Sequence, residues 1–258
     1  MTHPKILTLD IETAPLKSYH WSLWKQNIGL NQIGDEWSIL SYSAKWLGER
    51  AVIYSDVSGQ DNLRDDARLC QELWDLLDEA DFVVGQNAKK FDVKKIKARM
   101  VMHRMLPFSP VVVIDTMLIA KDVFNFTSNK LEWMTTHLTT KKKLKHQKFP
   151  GFELWAECLN DNPLAWAEMK AYNIADTVST EELYLALRPW AEGHPNLAAF
   201  YNDEKLRCPR CASTKLTPTS FAYTTAGKYQ RYKCQCGGFA RSRYTLNTLG
   251  KRRAMLSN

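Results

Sequence analysis

Residues 6–13 read Ile-Leu-Thr-Leu-Asp-Ile-Glu-Thr, and no other stretch limits the possible folds as sharply. A pleated strand sends alternate side chains to opposite faces, so Thr8, Asp10 and Glu12 share one face and Leu7, Leu9 and Ile11 the other. Two carboxylates about 7 Å apart on a buried strand are costly unless a positive charge sits between them. A divalent ion resolves this most cheaply, because Mg²⁺ and Mn²⁺ take carboxylate, water and phosphate oxygens as ligands. A strand end whose acids reach solvent or pair with lysine would resolve it without metal.

The 258 residues allow one large domain, or a domain with a small appendage. An apolar content of 45% with nine tryptophans supplies material for a core. No run approaches the ~18–20 apolar residues needed to span a bilayer. Met1 to Pro4 do not resemble a signal peptide, since the apolar run that follows carries Asp10 and Glu12. A soluble, cytoplasmic protein with no membrane partner is expected.

The net charge of +7 is unevenly spread. Residues 201–258 hold 12 Lys and Arg against only Asp203 and Glu204, while residues 1–200 hold 23 basic and 26 acidic side chains. A near-neutral body with a strongly basic tail points to a polyanionic partner reached mainly through the tail. The cysteines divide in the same way. Cys70 and Cys158 lie singly in helical patterns and are expected as small buried apolar residues. Cys208, Cys211, Cys234 and Cys236 cluster in the tail, which in an intracellular protein favours metal over disulfides.

Strands are expected from Trp37 to Trp46, Ala51 to Tyr54, Asp81 to Gly85 and Val111 to Asp115, the last as a run buried on both faces. Helical spacing marks Leu63 to Glu79, Asp92 to Met105, the stretch through Leu118, Leu131 to Leu138, and Phe152 to Leu159. The clearest helix runs from Pro163 to about Trp190, with Asn162 as its cap. Strands first, then strand and helix alternating, predict a mixed α/β sheet covered by helices. The basic run from Lys141 to Lys145 fits a solvated loop or a phosphate-contacting one.

Two further acids stand out by position. Asp92 closes Gly85-Gln86-Asn87-Ala88-Lys89-Lys90-Phe91-Asp92 at a strand-to-helix turn, the end of an open α/β sheet where ligands bind; as a bare helix N-terminal acid it would need no function. Tyr172 and Asp176 are four apart on the long helix and share one face. Taken in order, D-x-E on a strand, N-x-x-x-F-D and Y-x-x-x-D resemble the DEDD superfamily of 3′–5′ exonucleases, the DnaQ-like nucleases of the ribonuclease H-like fold. The tyrosine four before the last aspartate is similar to the DEDDy branch, and the resemblance covers roughly residues 5–190.

The resemblance implies a ribonuclease H-like mixed β-sheet flanked by helices and a two-metal phosphodiester hydrolysis with Mg²⁺ or Mn²⁺. It implies that Asp10 bridges both ions, that Glu12 and Asp176 bind the water-activating ion, and that Asp92 holds the second. Tyr172 would orient the attacking water, being a poor base at its ordinary pKa of about 10. Thr13 and Leu16 would seat the terminal nucleotide, with Asn87 and Phe91 as further substrate contacts. Gln86 departs from the histidine of many relatives at a position that is not a metal ligand. Asp115 is expected to support the site or the fold.

In the tail, Cys208-Pro-Arg-Cys211 and Cys234-Gln-Cys236 are two knuckles separated by 22 residues. Four thiolates around one Zn²⁺ form a closed structural site, which a short basic segment with little core can fold upon. The segment resembles the zinc ribbons of nucleic-acid enzymes, although C-x-C replaces the usual C-x-x-C at the second knuckle. Tyr223, Tyr229, Tyr232 and Tyr244 interleave with lysines and arginines and could stack on unpaired bases.

The expected organisation is a DEDDy exonuclease domain over residues 1–198 and a small zinc-ribbon β domain over residues 199–258. The expected partner is single-stranded nucleic acid, DNA favoured over RNA, with replication or recombination proteins as further candidates. Nucleases of this compact kind resemble those of bacteria or phages, the latter working in the host cytoplasm. A non-catalytic nucleic-acid adaptor, an RNA exonuclease and a structure-selective endonuclease are the competing expectations.

Overall fold

The chain runs β1 (Ile6–Thr13), β2 (Lys17–Ser18), β3 (Ile33–Asp35), β4 (Ile39–Trp46) and β5 (Ile53–Asp56), then α1 (Ala67–Glu79), β6 (Phe82–Gly85), α2 (Asp92–Met102) and β7 (Val112–Asp115). Four helices follow: α3 (Thr116–Val123), α4 (Leu131–Leu138), α5 (Glu153–Leu159) and α6 (Pro163–Leu187). Strands β8 (Leu216–Thr224), β9 (Gly227–Cys234) and β10 (Phe239–Arg241), with a short α7 (Leu249–Arg253), complete it. This computed structural model describes residues 3–144 and 146–256. Lys145 of the basic run, and the first and last two residues, lie outside the described residues. Two compact units emerge, one from Lys5 to Tyr184 and one from Leu185 onward with the start of the chain. Among the described residues no helix is long and apolar enough to cross a membrane.

The first unit is a mixed α/β layer built on a five-stranded sheet of order β5-β4-β1-β6-β7. β1 pairs antiparallel with β4 and parallel with β6, and β6 pairs parallel with β7. This mixed sheet flanked by helices is compatible with the ribonuclease H-like arrangement. Leu7, Leu9 and Ile11 are buried in the core with Leu69, Cys70, Leu73 and Leu77 of α1 and Ile96 and Met100 of α2. Cys70 and Cys158 are both fully buried, as their helical settings predict.

The opposite face of the sheet is matched to α6 residue by residue. Thr8, Asp10 and Glu12 lie opposite Lys45, Ser43 and Ser41. Asn173, Thr177 and Glu181 of α6, each four apart, meet those three β4 residues. The Ser41 hydroxyl donates to Asn173 Oδ1 at 3.1 Å, Thr177 donates to the Ser43 carbonyl at 3.1 Å, and Lys45 Nζ donates to Glu181 Oε1 at 2.8 Å. Four helical residues rise about 6 Å and two strand residues about 6.8 Å, so helix and strand stay in step over three pairs. This match fixes the rotation of α6.

Several boundaries differ from the sequence expectation, each for a local reason. β4 starts at Ile39 because Trp37 leaves the sheet to stack under Lys95, whose ammonium sits 3.5 Å from the ring centroid. β5 is shifted to Ile53–Asp56, where it pairs with β4. α1 starts at Ala67, since the Asp66 carboxylate is committed elsewhere: it accepts from the Ile39 N–H at 2.8 Å and from both Arg99 nitrogens at 2.7 Å. α2 ends at Met102 ahead of Arg104, whose φ of 58° is left-handed. β7 is an edge strand with Val112 half exposed, so the apolar run is not buried on both faces as expected. α6 stops at Leu187 because Pro189 disfavours a helical Arg188. Its start agrees: Asn162 Oδ1 accepts from the Leu164 N–H at 3.0 Å.

The second unit carries an antiparallel sheet of order β10-β9-β8. The cysteine-bearing turns flank this sheet, with Ala212 and Gly237 at positive φ just after the knuckles.

Burial raises the Asp66 carboxyl, but Arg99, the Ile39 N–H and His103 together hold it below its ordinary value. Removing it strands a buried guanidinium. Asp66→Ala is expected to lose about 3–5 kcal/mol, read as a lowered urea midpoint with an unchanged slope.

Candidate active site

Asp10 and Glu12 project from β1 on the face that α6 covers, and α6 brings Tyr172 and Asp176 to them. Asn173 Nδ2 donates to Asp10 Oδ2 at 2.6 Å, which orients the carboxylate. Trp155 Nε1 of α5 donates to Glu12 Oε2 at 3.2 Å. Asp92 arrives from the third direction. Beyond the end of β6, its Oδ1 accepts from the Ile11 N–H at 3.2 Å, in the place a longer strand would have filled. The carboxylates of β1, α2 and α6 thus collect at one end of the sheet.

The turn that delivers Asp92 is held by Asp115. Its Oδ1 accepts from the N–H groups of Asn87 and Met117 at 3.0 Å each, and its Oδ2 from that of Lys89 at 3.1 Å. Asp115 therefore caps α3 and clamps the turn, the supporting role expected of it. Asn87 is in the left-handed region with φ 63°. A Cβ on Gly85 would lie 2.7 Å from the Ala88 Cβ and 3.1 Å from the Leu9 carbonyl oxygen, so only glycine lets the turn approach β1. Gln86 donates to the Asn129 carbonyl at 2.9 Å and accepts from Thr116 at 2.5 Å, a structural post.

The electrostatics follow from this crowding. Burial, then Glu12, Asp92 and Asp176, drive the Asp10 carboxyl well above its ordinary value. Burial and Asp176 push Glu12 up to about 8, and burial raises Asp92 to about 7. Burial also raises Asp176, although Lys143 opposes it. The sequence put Lys143 in a basic run that fits a solvated loop or a phosphate-contacting one. Instead its ammonium turns inward, donating to Asp176 Oδ2 at 2.5 Å and to the Tyr172 hydroxyl at 2.7 Å. Burial works against that charge, but Asp176 and Tyr172 raise its pKa. Burial and the neighbouring acids raise the Tyr172 phenol, so it stays protonated at neutral pH.

These residues suit a divalent metal in donor chemistry. The acids are hard oxygen donors, their charged forms are destabilised without a cation, and Asp176 Oδ1 is buried with no hydrogen-bond partner among the described residues. No three of the four carboxylates bring oxygens within 4.8 Å of one another, so they do not form a single-ion cage as they stand. Two groups do converge that closely among the described residues. Asp66, Cys70 and His103 form one, but its carboxylate already has Arg99 as its cation. Cys208, Cys211, Cys234 and Cys236 form the other. Cys208 and Cys236 sulfurs are 3.8 Å apart and Cys211 and Cys234 3.5 Å, beyond disulfide bonding and close to the ~3.8 Å edge of a tetrahedron with 2.3 Å metal–sulfur bonds.

Thr13 sits where the β1–β4 register slips, directly after Glu12. Leu16 is half exposed and lines a cavity of about 600 Å³ with Arg64, Phe152 and Leu159. Phe91 is partly exposed next to Asp92, and Asn87 lies within the clamped turn. A smaller cavity of about 320 Å³ opens onto Tyr172, Lys143 and His146, and so touches the chemistry directly. His146 packs edge-on against the rings of Trp155 and Tyr172. His146 and Trp155 had no signal of spacing or neighbours in the sequence; Asn173, adjacent to Tyr172 on the helix, was within reach of inference, and Lys143 was visible only as one member of a basic run.

No protein-family profile matches the chain, and no curated protein matches it. Among solved structures, it is similar to the family B DNA polymerase from the hyperthermophilic archaeon Pyrobaculum calidifontis, with a TM-score of 0.52 and 15% identity. The match covers 72% of this chain and 26% of that one, so this chain corresponds to about a quarter of the polymerase's length. At that identity the likeness is one of fold.

Because folding raises the Glu12 pKa from its ordinary 4.5 to about 8, the folded protein favours the protonated form. Its favourable contribution is complete below about pH 4.5 and is lost as pH rises through about 8. In EDTA, Glu12→Gln is expected to stabilise the protein by about 1–3 kcal/mol at pH 8 and much less at pH 5. Thermal melts at the two pH values check this.

Proposed function

We propose that this chain is a metal-dependent 3′–5′ exonuclease that shortens single-stranded nucleic acid, DNA in preference to RNA. The supporting observation is the convergence of four carboxylates from three separate elements, Asp92 and Asp176 buried and Asp10 and Glu12 half-buried, with Lys143 as the cation set among them. The fold likeness to a DNA polymerase supports a nucleic-acid substrate and favours DNA. Residues 1–198 would be the nuclease domain.

Asp10, Glu12, Asp92 and Asp176 would hold two Mg²⁺ or Mn²⁺ ions. Such ions supply hydroxide from bound water at neutral pH and stabilise the charge that develops on the leaving 3′ oxygen. The chain's own groups do the rest. Asn173 and Trp155 fix the orientations of Asp10 and Glu12 through their N–H donors. Tyr172, kept protonated, positions the incoming water by hydrogen bonding and does not remove its proton. Lys143 orients the phenol and offers a positive charge beside it. Thr13 and Leu16, directly after the carboxylate strand, are placed to contact the terminal nucleotide.

Residues 199–258 would form a zinc ribbon that grips the strand. Four free thiols within 4.8 Å of one another, in turns flanking a three-stranded sheet, support Zn²⁺ there. Exposed Tyr223 and Tyr244, with Lys228 set over the Phe221 ring at 3.7 Å, support contact with phosphates and bases.

The test is a time course on 5′-labelled single-stranded DNA and RNA with Mn²⁺, Mg²⁺ or EDTA, with Asp10→Ala beside it. The expected outcome is a ladder shortening from the 3′ end, faster on DNA, dependent on metal and absent in the variant. Uncut substrate in every lane, with binding retained in a gel shift, would replace the nuclease reading with a binding protein.

A further inference from the structure

Between Leu16 and β4 the chain makes an excursion that the chemistry above does not use. β2 and β3 pair antiparallel, Lys17 with Asp35 and Ser18 with Ile33, and form a short stem. The stem is firmly built. The Tyr19 N–H donates to the Gln32 carbonyl at 2.8 Å, and Gln32 Nε2 returns a bond to the Tyr19 carbonyl at 3.0 Å. Arg64 Nη1 donates to the carbonyls of Pro15 at 3.1 Å and Glu36 at 2.8 Å, tying both ends to the body of the unit.

What this arm presents is unusual. Trp21 is 99% exposed, and Trp24 and Leu23 are each 82% exposed. Tryptophan is ordinarily among the most buried side chains on average, and the only other exposed tryptophan among the described residues is Trp190. The tip is nonetheless organised: Gln26 Nε2 donates to the Trp24 carbonyl at 2.8 Å, and His20 Nδ1 lies 2.8 Å from the Ser22 carbonyl oxygen. An ordered loop that holds large apolar rings in water needs an occupant for them.

Two observations identify that occupant. Residues 19–32 contain His20 and Lys25 and no acid, although residues 1–200 are acidic overall, while Lys17 in the stem is paired with Asp35 at 3.6 Å. A surface of that sign with flat aromatic rings complements a polyanion carrying unpaired bases. The arm also leaves the sheet at the end where the carboxylates collect. Its stem departs just after Glu12 and Thr13 at the C-terminal end of β1, and β6 runs parallel to β1, so Asp92 lies beyond the same end.

We propose that the arm formed by residues 19–32 is a single-strand guide, in which Trp21 and Trp24 stack on unpaired bases of the strand being fed to the carboxylates. The inference rests on the nuclease reading for the identity of that strand. It adds a second grip, separate from the cysteine-bearing tail.

The test is intrinsic fluorescence of the full chain, titrated with a 16-nucleotide oligothymidylate in EDTA so that no hydrolysis occurs. No tryptophan lies beyond Trp190, so the emission does not come from residues 201–258. The wild type is expected to show quenching on binding. The Trp21→Ala/Trp24→Ala variant should lose most of that quenching and bind roughly 10-fold or more weakly, whereas Trp21→Phe/Trp24→Phe should keep most of the affinity. Both exposed residues can be replaced without disturbing the core, and circular dichroism verifies the fold. Unchanged affinity in the alanine variant overturns the proposal. So does a blue shift with phosphatidylglycerol vesicles but no response to the oligonucleotide, which would make the arm a membrane contact. The metal-dependent ladder of the wild type reports on the nuclease reading separately, so the two can fail independently.

Discussion

Four crowded, largely desolvated carboxylates repel one another at one end of the sheet, and much of the first unit can be understood as the means of holding them there. Asp10 is held well above its ordinary pKa by desolvation and by facing Glu12, Asp92 and Asp176 together. Such an arrangement opposes folding in the charged state, so the surrounding structure has to hold it in place. Asn173 and Trp155 fix two of the acids, the Ile11 N–H a third, and Lys143 the fourth. Strain of this kind is the usual mark of a site whose charge is completed by a ligand.

The geometry that brings the acids together is a matter of matched repeats. A helix presenting every fourth residue meets a strand presenting every second one, and the pairs 173–41, 177–43 and 181–45 follow. With the rotation of α6 fixed by those three, Tyr172 and Asp176 have only one place to go. Asp92 is set by a different device, a turn clamped through Asp115 and brought close to β1 by the missing side chain of Gly85.

The sequence carried some of this plainly and some not at all. Alternation along residues 6–13 locates the central strand and both of its acids, because burial on one face and charge on the other leave few alternatives. Asn162 and Pro163 mark the start of α6 by their own chemistry. The apolar run at Val112 misled, since an edge strand and a central one share β-branched composition and differ only in neighbours. Asp66 lay unremarked inside the stretch expected to be helical; only the fold brings Arg99 to it, 33 residues on. Lys143 was hidden within a run of like residues, where nothing local distinguishes the one that turns inward. Acidic positions set by pattern were legible, and partners set by tertiary contact were not.

If the four acids form a divalent-metal site, Mn²⁺ reports on it directly. Crystals soaked in Mn²⁺ at pH 8, compared with those of Asp10→Asn, give the ions by anomalous scattering. Two anomalous peaks are expected among Asp10, Glu12, Asp92 and Asp176 in the wild type, with the Lys143 ammonium drawn back, and loss of at least one peak in the variant. A wild-type map with no peak there, and Lys143 still bonded to Asp176, would contradict it.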